Sequence, residues 1–174
     1  MRVVPNAIAI LLLSLTQAVS AAEPSSAAQD ESASRLASRV RQAYERGEAL
    51  PRDPTLYSQT ISYGHGYDDP KSFPVKNLLE GNAKETDIMK AAADGFQTRL
   101  MRFLTDGNTI IAVTRTTAKL KDGSPFRADV VTFLTVENGR VAHIQTWPDR
   151  QQWTPMMKYL KAQPPASAKP AAGE

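Results

Sequence analysis

The stretch Thr117-AKLKDGSPFRADVVTFLTVENGRVAHIQTWP-Asp149 decides the fold. It holds two turn signals, "KDGS" at Lys121 to Ser124 and "ENGR" at Glu137 to Arg140, each flanked by runs rich in Val, Thr, Phe and Ile. Asp-Gly and Asn-Gly supply the positive backbone angles that tight hairpins require, and β-branched and aromatic residues suit a pleated, half-buried surface. A third signal, "TDGN" at Thr105 to Asn108, stands one strand upstream. Together they predict a four-stranded antiparallel meander from Phe96 to Asp149. With a two-residue loop at each turn, Val136 lies opposite Val141, Leu120 opposite Pro125 and Leu104 opposite Thr109. A three-residue loop at any turn inverts the faces of the strands beyond it.

Upstream the period changes. Leu36, Val40 and Tyr44 recur at helical spacing, with Ala33, Ala37 and Ala43 beside them and Gly47 and Pro51 after them, so an amphipathic helix is expected there. "TISYGHGYDD", from Thr60, reads as a strand. Asn82 with Glu85 three residues on has the form of a capping box and predicts a short helix through Ile88, Met89 and Ala92, ended by Gly95. Downstream of the meander, Thr154-Pro155 before Met156, Met157 and Leu160 predicts a closing helix with Pro at its first position.

The ends differ in composition from this core. Residues 1–22 carry Arg2, the apolar run Ala7 to Leu13 and small residues at Ser20 to Ala22, the pattern of a cleaved secretory signal, and Ser14, Thr16 and Gln17 interrupt the run before it reaches membrane-spanning length. Export to the periplasm or the medium is expected, with no stable membrane insertion. Residues 23–31 read as a disordered linker, residues 32–162 as one domain and residues 163–174, rich in Pro and Ala, as a disordered tail. The chain has no cysteine, which excludes a disulfide framework, a thiolate nucleophile and a Cys-ligated metal. Its formal charge of +3 is interspersed with acids, so nucleic-acid binding gains no support. His65, Asp68 and Asp69 lack a second ligand group at metal spacing, and neither a metal nor another cofactor is expected.

The order helix, strand, short helix, meander, with the stretch quoted above, resembles the SnoaL-like branch of the nuclear transport factor 2-like superfamily over about Ala33 to Asp149. The resemblance implies an α+β fold: a cone-shaped, strongly curved antiparallel meander with N-terminal helices packed over its concave face. It implies a pocket on that face and a homodimer through the convex face. It leaves the reaction open, because the family holds isomerases, cyclases, dehydratases and proteins with no chemistry.

Alternation through the meander assigns Arg99, Met101, Phe103, Ala112, Thr114, Thr116, Asp129, Val131, Phe133, Ile144 and Thr146 to the pocket face. Tyr63 and His65 close the mouth from the earlier strand. Arg115, His143, Gln145 and Trp147 fall on the other face and are expected at the dimer interface, with Arg115 stacked on Trp147. Asp129 has two readings: a carboxylate paired with Arg99 or bonded to Thr116, or an acid–base group whose pKa an apolar wall raises. The resemblance to ketosteroid isomerases places their oxyanion carboxyl at Asp129 and their base at Asp69, although their helix-1 tyrosine corresponds to Val40. Limonene-type epoxide hydrolases need carboxylates where this chain has Thr117 and Thr146, so that activity is rejected. Two classes remain: an exported protein that binds a small apolar ligand, with or without acid–base chemistry by Asp129, Asp69 or His65, and a non-catalytic dimeric cone acting as a binding or protein-interaction module in the cell envelope. An open cavity of a few hundred Å³ favours the first, a filled cone the second.

Overall fold

A computed structural model of the chain describes residues 26–162. The signal-like residues 1–22 and the tail 163–174 lie outside it. Three helices and six strands follow in the order α1 (Ser26–Glu45), β1 (Tyr57–His65), β2 (Lys71–Pro74), α2 (Val75–Ala92), β3 (Ala93–Asp106), β4 (Thr109–Leu120), β5 (Pro125–Glu137), β6 (Arg140–Pro148) and α3 (Arg150–Ala162), with a 3-10 turn at Pro54–Leu56 before β1. The strands form one sheet in the order β2-β1-β6-β5-β4-β3. Every pairing is antiparallel except β1 with β6, which is parallel. The expected meander is therefore present as β3 to β6, and β1 and β2 extend it by two strands.

Several boundaries move. Helix α1 starts at Ser26, so residues 26–31 belong to it and not to a disordered linker; "SAAQDES" continues the helix without Gly or Pro to stop it. The α2 helix starts at Val75, seven residues before Asn82, which sits mid-helix and accepts from Thr86 Oγ1 through its carbonyl (2.8 Å). The capping-box reading of Asn82 and Glu85 was thus a misplaced start. In α3, the N-cap is Asp149, whose carboxylate accepts from the Gln152 N–H at 3.1 Å, and Pro155 lies inside the helix.

Sheet register explains which faces the side chains take. At "KDGS" Leu120 and Ser124 close a three-residue loop, with Leu120 N–H bonded to Ser124 O (2.9 Å) and Gly123 at φ +88°. The pair is consequently Lys119 with Pro125, one residue off the two-residue expectation, and all of β5 turns over. A bulge at Ala142, between the pairs Val136–Val141 and Thr135–His143, turns β6 back again. A second bulge, at Met101, turns the first half of β3.

The concave face packs two apolar clusters. One joins Leu36, Val40 and Tyr44 of α1 to Ile61, Ile110, Ala112, Leu134, Val141 and Ile144. The other joins Ala92 and Ala93 to Leu120, Phe126, Ala128 and Met156 of α3, with Trp153 against it. Fully burying a Leu or Ile side chain stabilises by about 1.5–3 kcal/mol, so these clusters hold α1 and α3 to opposite ends of the sheet.

Candidate functional site

Between the two clusters the concave strands switch from aliphatic to hydroxyl side chains. Along β4 the inward residues read Ile110, Ala112, then Thr114, Thr116, then Ala118, Leu120; along β5 they read Phe126, Ala128, then Val130, Thr132, then Leu134. Threonine branches at Cβ like valine, so it keeps the strand, but it offers a hydroxyl where a larger side chain would fill the cone. A cavity of about 390 Å³ opens over this threonine belt. Its floor is Thr114, Thr116, Val130, Thr132 and Thr146, and its walls are Tyr63 and His65 of β1, Leu50, Glu85, Thr86 and Met89 on the α1–α2 side, and Arg150, Trp153 and Met157 of α3. The volume lies within the range of small-molecule sites, and the mix of apolar wall with a few polar groups is typical of them.

The polar groups are ordered by one another. Thr116 Oγ1 and Thr98 Oγ1 are 3.1 Å apart on adjacent strands. Thr146 Oγ1 lies 3.3 Å from the Tyr63 hydroxyl and 3.0 Å from His65 Nδ1. Burial pushes the Tyr63 phenol up, against the hydrogen bond to Thr146, and the nearby Glu85 carboxylate adds to the rise. Tyr63 therefore stays a neutral donor at physiological pH. Under the floor, Tyr44 is fully buried with its hydroxyl toward Thr132 but without a well-formed hydrogen bond. Burial pushes its phenol up as well, so it too stays protonated.

Of the residues expected in the pocket, Thr114, Thr116, Thr146, Tyr63 and His65 line it. Phe103, Ala112 and Ile144 lie on the concave face but are packed into or against the apolar core. Arg99, Met101, Val131 and Phe133 are on the convex face, carried there by the Met101 bulge and the three-residue loop. Asp69 is an exposed loop residue between β1 and β2, outside the cavity lining. Asp129 is also convex and is not a pocket acid. Its carboxylate accepts both arms of Arg115, Nε at 2.7 Å and Nη2 at 2.9 Å, and these hydrogen bonds hold it below the ordinary carboxylate range. In the structure Asp129 is a paired carboxylate, and its partner is Arg115 instead of Arg99 or Thr116.

A depressed folded-state pKa adds stability above the ordinary carboxylate pKa and loses it as pH falls through the depressed value. Asp129→Asn is accordingly expected to melt lower than wild type at neutral pH, and the gap should close in acid. Melting curves across pH check this; a gap that widens in acid would mean that the folded state raises the Asp129 pKa.

The expected convex group holds together in part. Arg115, His143, Gln145 and Trp147 share that face, but Arg115 is taken by Asp129, and Trp147 meets Tyr67 edge-on at 4.6 Å between centroids. His143 Nε2 is 2.8 Å from Glu137 Oε1. Gln145 lies across the bare Gly64, where an added Cβ would come within 1.9 Å of its Oε1, and donates to Gly66 O at 2.5 Å. The space beside Gly64 is thus filled by a side chain from the neighbouring strand.

Sequence reasoning missed Val130 and Thr132 through the register slip, and Glu85, Met89, Arg150 and Trp153 because helix orientation is not set by strand alternation. The Thr-for-aliphatic switch in both central strands was visible and is the signal that marks the cavity. Among the described residues no cluster of three His, Asp or Glu side chains is placed to hold a metal.

No protein-family model and no curated protein matches the chain. Solved structures do. A proposed SnoaL-like polyketide cyclase from a Jannaschia species aligns with a TM-score of 0.55 at 13% identity, over 75% of this chain and 94% of that one. An NTF2-like protein from Burkholderia thailandensis aligns at 0.53 and 18% identity, over 76% and 98%. An NTF2-like protein of unknown function from Cytophaga hutchinsonii aligns at 0.53 and 12%, over 66% and 96%. The chain has the cone fold of these SnoaL-like and NTF2-like proteins.

Proposed function

We propose that this chain, on the cone fold it shares with SnoaL-like and NTF2-like proteins, binds a small apolar molecule in the cavity between its two core clusters. The open cavity over Thr114, Thr116, Thr132 and Thr146 carries this reading: a cone that served only to dimerise would gain stability by filling that space, at about 1 kcal/mol or more for each missing methyl-sized group. His65, Tyr63 and Glu85 are the titratable groups that line it, and any acid–base isomerisation, cyclisation or dehydration would use them and not Asp129 or Asp69. A thermal-shift screen of apolar small molecules tests binding, since a ligand of the native state raises the melting temperature by mass action. A screen without a single saturable shift would count against the proposal.

Two further parts of the reading rest on residues away from the cavity. Residues 1–22 direct export and are removed after Ala21 or Ala22; intact-mass measurement on native material should find neither Met1 nor Arg2. The convex face, with Tyr67 89% exposed and Met101 and Leu104 also exposed, packs against a second copy of the chain. Light scattering should give a dimer, and Trp147→Glu, which places a charge among these apolar residues, should give a monomer. A wild-type monomer at high concentration would refute the dimer.

A further inference from the structure

Resting on that reading, the rim of the cavity narrows the class of ligand. Among the described residues, Arg150 is the only Arg or Lys in the lining. It makes no ion pair among the described residues, whereas Arg39, Arg41, Arg46 and Arg115 each hold a carboxylate. A Cβ on Gly66 would come within 3.2 Å of Nη2, so the guanidinium lies over Gly66, just past the end of β1. Tyr63 and His65 already meet at Thr146 in that corner. A forked cation at the rim of a cavity whose lining also holds a neutral phenol is a receptor for an anionic oxygen, and Leu50, Met89, Trp153 and Met157 give the rest of the ligand an apolar bed. Glu85 is the only carboxylate that the described residues bring to the lining, and its field reaches the Tyr63 hydroxyl. It opposes a second negative charge, so the headgroup is held by Arg150 against that repulsion.

We propose that the cavity takes an apolar monocarboxylate, its carboxylate bound by Arg150 at the β1–α3 corner and its chain lying along the threonine belt.

Three probes with one chain and different heads separate the possibilities: decanoate, decanol and decylamine, titrated into the mature protein and followed by fluorescence. Trp153 lines the cavity and Trp147 does not, so a Trp147→Phe background leaves Trp153 as the only tryptophan reporter. Decanoate is expected to bind about tenfold tighter than decanol, the equivalent of one charge-assisted hydrogen bond, and decylamine weakest. Arg150→Ala should remove the advantage of decanoate and leave decanol unchanged, and Glu85→Gln should strengthen decanoate alone. Equal affinity for decanoate and decanol, no effect of Arg150→Ala, or tightest binding of decylamine would overturn the carboxylate assignment while leaving the apolar pocket standing. Failure of all three probes would sink the pocket reading itself.

Discussion

Leu134→Ala is expected to destabilise the protein by about 2–5 kcal/mol, the range for deleting a fully buried leucine side chain. Leu134 has no exposed surface, packs in the α1 cluster beside Ile110 and Ile144, and sits on the strand whose face the three-residue loop decides. Its neighbour Phe133 points the other way and is only half-buried in the single chain. A larger side chain lost from the convex face should therefore cost less than a smaller one lost from the concave face. Denaturant unfolding of Leu134→Ala and Phe133→Ala, run at concentrations low enough to keep both monomeric, measures the difference. If Phe133→Ala proved the costlier of the two, β5 would have the opposite face inward and the cavity floor described above would be wrong.

Val130→Trp should abolish ligand binding without unfolding the protein. Val130 is half-exposed and faces the cavity from the centre of β5, paired with Thr114. An indole there occupies the space a ligand would take, while tryptophan suits a strand as well as valine does. Since the side chain enters a void and not a packed core, little overpacking strain is expected. Calorimetric titration of a ligand found by the screen, against wild type and Val130→Trp, reads the loss directly. Undiminished affinity in a folded Val130→Trp would place the ligand elsewhere.

The fold was legible because its signals are local. Asn138 and Gly139 adopt positive φ, at 51° and 69°, as an Asn-Gly hairpin requires, and the pair Val136–Val141 is the one the turn implies. The helical spacing of Leu36, Val40 and Tyr44 likewise marks three buried side chains of the α1 cluster. The site was less legible because it depends on parity, which a single residue reverses. "KDGS" is compatible with a two-residue or a three-residue loop, and the choice depends on Gly123 in the left-handed region and on Asp122 Oδ1 accepting from Ser124 N–H at 2.9 Å. The Ala142 bulge cancels that reversal, which is why Ile144 and Thr146 were placed correctly while Asp129, Val131 and Phe133 were not. Bulges at Met101 and Ala142 carry no Gly or Pro to announce them; they meet the curvature of the sheet, a property of the whole cone. Helix α2 misled in a different way, because Asn82 and Glu85 mimic a start inside a helix that begins without a side-chain cap at Pro74.

The two indoles of the chain report in one spectrum whether a small apolar molecule occupies the cavity between the two core clusters. Trp153 lines that cavity, while Trp147 lies on the convex face against Tyr67. In a proton–nitrogen NMR titration with decanol, the Trp153 indole resonance should move to saturation while that of Trp147 stays in place. Movement of Trp147 with Trp153 unchanged would put the ligand on the convex face and leave the cavity without one.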